Sequence, residues 1–233
     1  MILTKSKTTR SQWIRRSAIG LVAAALLATP GLADDPADAE AIVRETVDRV
    51  LTVLAREGLS ADQRRQEIEE IAYDQFDFAT ISRLVLARNW KRFSPGQRDE
   101  FAEQFKLLLS KSYGSRIERY EQEEVKILDS RVEKRGDVTV RTRIEGGKAD
   151  GVEVDYRLRK KEGPWKLIDV VVEGVSLVSS YRSEYKGILG SGSPEDLLKR
   201  MREKNAEKSA EKGAEESSEK KSPEKKSTEN ADG

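Results

Sequence analysis

The apolar residues of this chain change their spacing once, near Glu121, and no other feature constrains the fold as strongly. Before that point they recur every three or four residues, which is typical of amphipathic helices. After it they alternate with polar residues, which is typical of strands with one buried face. The sequence therefore predicts an α+β domain in which helices come first and an antiparallel sheet follows.

Four helices are predicted ahead of the sheet. Apolar spacing predicts the first over about 37–56, and Ser60 with Gln63 forms a capping box that starts the second. The stretch 76–86 predicts a short third helix. A fourth is predicted to begin at 94–97, where an N-cap serine, a first-turn proline and a glutamine at the third helical position agree.

Four strand-like runs follow, over 125–127, 138–144, 152–158 and 165–172. The turns between them are short and contain glycine, which favours hairpins between neighbouring strands. The predicted sheet is therefore a four-stranded antiparallel meander whose apolar face the N-terminal helices cover. Two C-terminal helices are predicted, one over about 179–189 and one that Ser193 caps.

The last strand-like run, DVVVEGVSLV, is interrupted by Glu173 and Gly174. A glycine inside a strand pattern usually marks a bulge or a bend. We therefore expect the chain to leave the sheet there, with Val175 and Leu177 turning toward the interior. Glu173 is expected at the rim, as a partner of Arg182, as a contact for another protein, or as a solvated edge charge.

The two ends of the chain differ from the segment 34–204, which is long enough for one domain. Residues 1–33 carry five basic residues, a short apolar core and a small-residue cleavage site, which indicate a signal peptide. Because the apolar core is too short for a membrane span, we expect export to the periplasm, by the general secretion rather than the twin-arginine route. Residues 205–233 are rich in Lys, Glu and Ser and are predicted to be disordered, unless their repeats extend the last helix.

Composition excludes several functional classes. The chain has no histidine and no cysteine, so it cannot form a Ser-His-Asp triad, a cysteine nucleophile or a histidine zinc site. Loss of the signal peptide would change the net charge from +1 to −4, because it removes five of 43 basic residues and none of 42 acidic ones. Nucleic acid and anionic membrane surfaces are therefore not expected partners.

Carboxylate pairs are the remaining candidates for catalysis. Asp74 with Asp77, or Asp169 with Glu173, are near enough in sequence to be paired for general acid–base work. Because 36% of the residues are charged, neighbouring acids are expected by chance. We therefore predict no enzyme activity, no catalytic residues, no metal site and no cofactor.

Three groups of motifs give the chain a resemblance to a known family. They are FDF with ISRLVL, the tryptophan ahead of SPGQR, and DVVVEGVSLV with YRSEY, in that order and spacing. Over residues 34–202 the chain resembles the MlaC family of periplasmic phospholipid-binding proteins, also called toluene-tolerance auxiliary proteins. The resemblance implies that the helices and sheet enclose an apolar cavity for acyl chains, with the lipid head group near solvent.

The same resemblance implies a soluble, monomeric carrier of phospholipid. Its partners would be the MCE-domain subunit of an inner-membrane ABC transporter and an outer-membrane lipoprotein bound to a porin. Contact with these membrane complexes would be transient, and the carrier would maintain the lipid asymmetry of the outer membrane. The alternatives are a periplasmic chaperone and a small-molecule enzyme with a helix-over-sheet cone fold.

The residues expected to line the cavity are mostly apolar positions of the strands. No head-group clamp is expected, because a carrier must release its cargo. The predicted lipid-binding residues are Leu108, Tyr113, Val140, Val152, Val154, Tyr156, Val170, Val172, Val175 and Leu177. The predicted partner-docking residues are Glu173 and Arg182.

Overall fold

A computed structural model describes residues 36–117 and 123–219. The predicted signal peptide and residues 220–233 of the predicted tail lie outside the described residues. The α-helices are α1 (Pro36–Ala55), α2 (Ala61–Gln75), α3 (Phe78–Leu86), α4 (Pro95–Ile117), α5 (Leu177–Ser191) and α6 (Pro194–Glu219). Two short 3-10 helices cover Ala87–Arg92 and Gly147–Ala149. The strands are β1 (Glu124–Val132), β2 (Val138–Glu145), β3 (Glu153–Lys160), β4 (Trp165–Val172) and β5 (Val175–Ser176).

The strands form one sheet in the order β1-β2-β3-β4-β5, and each neighbouring pair is antiparallel. The predicted α+β class is confirmed. The predicted number of strands, four, is corrected to five, because Val175 and Ser176 pair with Val172 and Val171 to form β5. The extra strand has only two residues, which is too short to show as a period in the sequence.

Two helices begin at the predicted capping boxes. Ser60 Oγ accepts the N–H of Gln63 (3.2 Å), and Gln63 Oε1 accepts the N–H of Ser60 (2.9 Å). Ser94 and Gln97 repeat the arrangement at the start of α4, with distances of 3.2 and 3.0 Å. In each case two backbone N–H groups that the helix leaves free receive an acceptor, which fixes where the helix starts.

Separate hydrophobic clusters hold the helices and the sheet. One joins α3, α4, α5 and α6, and its centre is aromatic: Phe101 and Phe105 stack at 5.7 Å, and Tyr181 meets Phe105 edge-on at 5.0 Å. A second joins α1 to the sheet through Ala39 and Val43. A third, smaller cluster lies between α1 and α2. The helices α3 to α6 are therefore packed mainly on each other, and α1 is the helix that covers one end of the sheet.

Helix α6 continues to Glu219, which agrees with the alternative of an extended last helix. Its part around Asn205 packs against α4. Asn205 is buried, and its Nδ2 donates to the backbone oxygen of Gln104 (3.0 Å). Lys111 Nζ in turn donates to the backbone oxygen of Asn205 (2.7 Å). These contacts extend the docked part of α6 beyond its last apolar turn.

Candidate functional site

Cross-strand pairing places most of the predicted strand residues on one face of the sheet. Residues that pair across antiparallel strands lie side by side on the same face. We term this side the apolar face, because three rows of mainly apolar residues cross it. The rows are Val138–Leu158–Leu167, then Val140–Tyr156–Val170, then Thr142–Val154–Val172–Val175.

Burial decreases from the first row to the second. The first row is buried, and Ala39 and Val43 of α1 pack against it. In the second row Val140 is buried, but Tyr156 and Val170 are only half-buried. Helix α1 therefore covers one end of the apolar face and leaves the other end partly accessible.

The third row leads from the interior to the surface. Thr142 is fully buried and Val154 is half-buried. Val172 is 37% exposed, and its cross-strand partner Val175 is 59% exposed. An apolar row with rising exposure provides a continuous non-polar path between the inside of the protein and solvent.

Tyr156 shows what surrounds the middle of the apolar face. Burial raises the pKa of its phenol to about 12. The side chain nevertheless keeps accessible surface, and its hydroxyl forms no hydrogen bond with any residue that the structure describes. A side chain that is deep in the protein, accessible and unbonded is typical of the wall of an apolar cavity.

Four predicted lipid-binding residues lie away from this accessible surface or at its margin. Leu108 is 1% exposed and packs in the cluster of α3 to α6. Val140 is buried beneath α1. Tyr113 is half-buried and hydrogen-bonded to Tyr181, and Leu177 is half-buried at the start of α5. The accessible part of the apolar face is formed by Val152, Val154, Tyr156, Val170, Val172 and Val175.

One further row of the apolar face was not among the predicted residues. Val125 of β1 pairs with Ile144 of β2, and both are half-buried. Ile144 follows Val140 and Thr142 at alternate positions of β2, so it lies on the same face. The two-residue period was the signal for this row, since both residues belong to strand-like runs.

The interruption at Glu173 and Gly174 is a hairpin turn, which corrects the prediction that the chain leaves the sheet there at a bulge or a bend. The two residues have positive φ angles, 49° and 76°, and they connect Val172 to its partner Val175. Two consecutive positive φ angles are typical of the type I′ turns that close two-residue hairpins. The chain therefore reverses direction and forms β5 instead of leaving the sheet.

Glu173 uses its side chain to extend the ladder between β3 and β4. Its N–H donates to the backbone oxygen of Glu153 (3.0 Å), and the N–H of Glu153 donates to Glu173 Oε1 (2.6 Å). A carboxylate oxygen thus takes the role of a backbone carbonyl, which accounts for a non-glycine residue at a strained φ. The expected ion pair with Arg182 does not form, because Arg182 Nε donates to the backbone oxygen of Leu84 (2.8 Å).

We predict that Glu173→Ala loses this contact and that Glu173→Gln keeps it, because the glutamine amide still offers an oxygen acceptor. The Glu153 amide should exchange with solvent roughly tenfold faster in the alanine variant than in the wild type. Hydrogen–deuterium exchange followed by NMR measures the rate. Equal rates in all three proteins would show that the carboxylate does not hold the turn.

Asp169 is buried and joins β4 to the start of α5, which begins at Leu177, two residues before its predicted start. Its Oδ1 accepts the N–H of Val178 (3.1 Å), and its Oδ2 accepts the hydroxyl of Ser176 (2.6 Å). Arg157 lies 3.4 Å from the carboxylate. The carboxylate therefore stabilises the N-terminus of α5 by satisfying a free N–H and by its charge.

The acids considered for catalysis all have separate partners. Asp74 lies 3.6 Å from Arg49 and 3.8 Å from Lys166. Asp77 is the N-cap of α3 and accepts the N–H of Thr80 (2.8 Å). In the second candidate pair, Asp169 binds the start of α5 and Glu173 binds the start of β3, as described above. Each of these carboxylates thus serves a contact between secondary-structure elements.

Two further properties concern metals and membranes. Among residues 36–117 and 123–219, no group of three or more acidic side chains is arranged to hold a metal ion. In the same ranges, each helix is too short or too polar to cross a bilayer.

The sequence matches a family model and two curated relatives. The model described as MlaC protein matches residues 44–203. The intermembrane phospholipid transport system binding protein MlaC of Haemophilus influenzae is 27% identical over 124 residues, which cover 51% of this chain and 58% of that protein. The toluene tolerance protein ttg2D of Pseudomonas putida is 24% identical over 106 residues, which cover 45% of this chain and 49% of that protein. The chain spans about half the length of these relatives.

The fold is similar to that of a solved structure, a phospholipid-binding protein from Ralstonia solanacearum in complex with a phospholipid. The TM-score is 0.67 and the sequence identity is 25%. The superposition covers 74% of this chain and 99% of the other.

Proposed function

Because the chain belongs to the MlaC family, we propose that it binds phospholipid and carries it through the periplasm. The names of the two relatives refer to phospholipid transport and to toluene tolerance, and the similar solved structure contains a phospholipid. These likenesses support a binding and transport role and give no support to an enzyme.

The observation that carries the proposal is the partly accessible apolar face. Val154, Tyr156 and Val170 are inner positions of the sheet, yet they are only half-buried and retain surface for another molecule. The Tyr156 hydroxyl has no protein partner within the described residues, although burial raises its pKa. We propose that acyl chains fill the space against these residues and that the lipid enters along the third row, past Val172 and Val175.

A carrier of this kind is needed because lipids do not cross water freely. At about 0.8 kcal/mol per methylene, two chains of about fifteen methylenes would cost roughly 24 kcal/mol to expose. A cavity lined by valine and tyrosine offers the same non-polar surroundings as a bilayer. It can therefore accept and return lipid without a large net change in free energy.

We further propose that the chain exchanges lipid with two membrane complexes. These are the MCE-domain subunit of an inner-membrane ABC transporter and an outer-membrane lipoprotein bound to a porin. In this role the carrier maintains the lipid asymmetry of the outer membrane. The carrier would act as a monomer, with bound lipid rather than a second copy covering the accessible part of the apolar face.

Mass spectrometry of an organic extract of the purified protein tests the binding proposal. The full chain is expressed so that it is exported to the periplasm. The exported protein is purified without detergent and extracted with chloroform and methanol. An exported protein of similar size, purified in the same way, is the control for carried-over membrane lipid. Phospholipid in stoichiometric amount in the first extract alone is the expected result. An empty protein that turns over a soluble substrate would overturn the proposal in favour of an enzyme.

A further inference from the structure

The segment 78–98, which covers α3, the 3-10 helix after it and the start of α4, is basic throughout. It contains five basic residues and no acidic residue, although the whole chain has nearly equal numbers of both. Arg92 and Arg98 have structural roles. Arg92 donates to the backbone oxygens of Leu189 and Gly192 (both 2.7 Å), and Arg98 donates to that of Trp90 (3.2 Å).

The other three basic residues of the segment are exposed and free. The side chains of Arg83, Arg88 and Lys91 form neither a hydrogen bond nor an ion pair with the part of the chain that the structure describes. Arg83 lies on the outer side of α3, whose neighbouring positions Ser82 and Val85 are buried. The free cations therefore point away from the helical core toward solvent.

Helix α5 adds two more basic residues beside them. Arg182 Nε donates to the backbone oxygen of Leu84, which holds α5 against α3. Lys186, one turn later, is exposed and has no ion pair among the described residues. The acidic residue of α5, Glu184, lies 3.4 Å from Lys204 of α6 and is already paired. We term Arg83, Arg88, Lys91, Arg182 and Lys186 the basic surface.

Unpaired charges of one sign on adjacent elements repel each other and attract an anionic partner. Some exposed arginines elsewhere in the chain are neutralised locally. On the outer face of the sheet, Arg141 has Asp129 at 3.0 Å and Glu153 at 3.3 Å. The basic surface departs from that pattern, so its charge is available for a contact with another molecule.

An acidic protein surface fits the basic surface better than a membrane does. The large apolar residues that are exposed in the described chain are Leu107, Val132, Val172 and Val175. None of them belongs to the basic surface, so it has no side chain to anchor in a bilayer. A few basic residues without an apolar anchor add little to membrane binding.

One end of the basic surface lies near the path that we propose for lipid entry. Helix α5 starts directly after β5, so Arg182 lies about 8 Å along the helix axis from Leu177. The part of the basic surface around Arg182 is therefore the part nearer Val175, the exposed end of the third row, whereas Lys91 lies toward the other end of α5, where its neighbour Arg92 bonds to Leu189. We infer that the basic surface docks an acidic protein partner and holds it beside the opening through which lipid passes. This inference rests on the proposed carrier function.

Charge reversal with a matched control tests the inference. The variant Arg88→Glu/Lys91→Glu is compared with Lys134→Glu/Arg135→Glu, which makes the same change in charge at the exposed turn between β1 and β2. The probes are the purified MCE-domain subunit, the purified lipoprotein–porin complex, and vesicles containing phosphatidylglycerol. Binding is measured at low and at high salt, and the phospholipid content of every sample is recorded.

The expected result is about tenfold weaker binding of the first variant to one of the two protein probes at low salt, and a smaller difference at high salt, where charges are screened. The control variant should bind like the wild type, and all three proteins should contain the same amount of phospholipid. Unchanged binding to both protein probes, or no binding of either by the wild type, would overturn the inference. Loss of vesicle binding alone would overturn it in favour of a membrane contact. A wild-type protein that contains no phospholipid would instead contradict the carrier function.

Discussion

Replacing Asp169 with alanine is expected to lower the free energy of unfolding by about 3 kcal/mol. The side chain is only 2% exposed. The substitution would leave the Ser176 hydroxyl and the Val178 N–H without the acceptor that they share. A polar group that loses its partner in the interior carries the full cost of its desolvation. Equilibrium unfolding in urea, followed by circular dichroism, measures the change.

Asp169→Asn is the matched control for this prediction. The amide keeps the shape of the side chain and one oxygen acceptor, but it loses the charge, so we expect a loss of roughly 1 kcal/mol. If the alanine variant unfolds at the same urea concentration as the wild type, the carboxylate does not stabilise the start of α5. If both variants lose the same amount, the charge matters and the hydrogen bonds do not.

Replacing Val154 with glutamate is expected to lower the amount of co-purifying phospholipid by at least about tenfold. The side chain lies in the middle of the third row and is half-buried. A carboxylate there would have to lose water whenever an acyl chain binds, which costs several kcal/mol, and 1.4 kcal/mol already corresponds to a factor of ten in affinity. Mass spectrometry of extracts from equal amounts of protein measures the change.

Two comparisons keep this second test decisive. Val175→Glu makes the same substitution at the exposed end of the same row, where a carboxylate stays hydrated, so it should retain much more phospholipid. Val154→Phe fills space without a charge and should reduce lipid content with the fold intact, as judged by circular dichroism. A folded Val154→Glu protein with the lipid content of the wild type would exclude Val154 from the cavity wall.

Local signals in the sequence were sufficient for the elements with a strong period or cap. The capping boxes at Ser60 and Ser94 start helices because each serine and its glutamine lie three residues apart and act only on each other. The alternation of Val138, Val140 and Thr142 predicted one face of β2, since strand geometry alone sets it. Such interactions do not depend on the rest of the fold.

The sequence is less informative about residues whose positions depend on distant parts of the chain. Leu108 and Val170 are both apolar residues with the correct period, and only the packing of α3 to α6 distinguishes a core leucine from an accessible valine. The sequence does not indicate the hairpin turn at Glu173, because glutamate is an unusual residue at positive φ. Glutamate is accommodated at this position because its carboxylate accepts the N–H of Glu153, twenty residues earlier in the chain. The position of Asn205 likewise depends on a distant part of the chain, because its hydrogen-bond partner lies on α4.

The short length of β5 limits unwanted association of the protein with itself. An exposed sheet edge can template the addition of a strand from another molecule, and the risk increases with the length of the edge and with apolar residues near it. Here the edge beside the exposed Val172 and Val175 offers only two residues, and the chain turns into α5 directly after them. The opposite edge, β1, has a register shift and charged residues such as Lys126 and Asp129. The protein can thus keep an apolar opening next to a sheet edge without presenting a nucleus for aggregation.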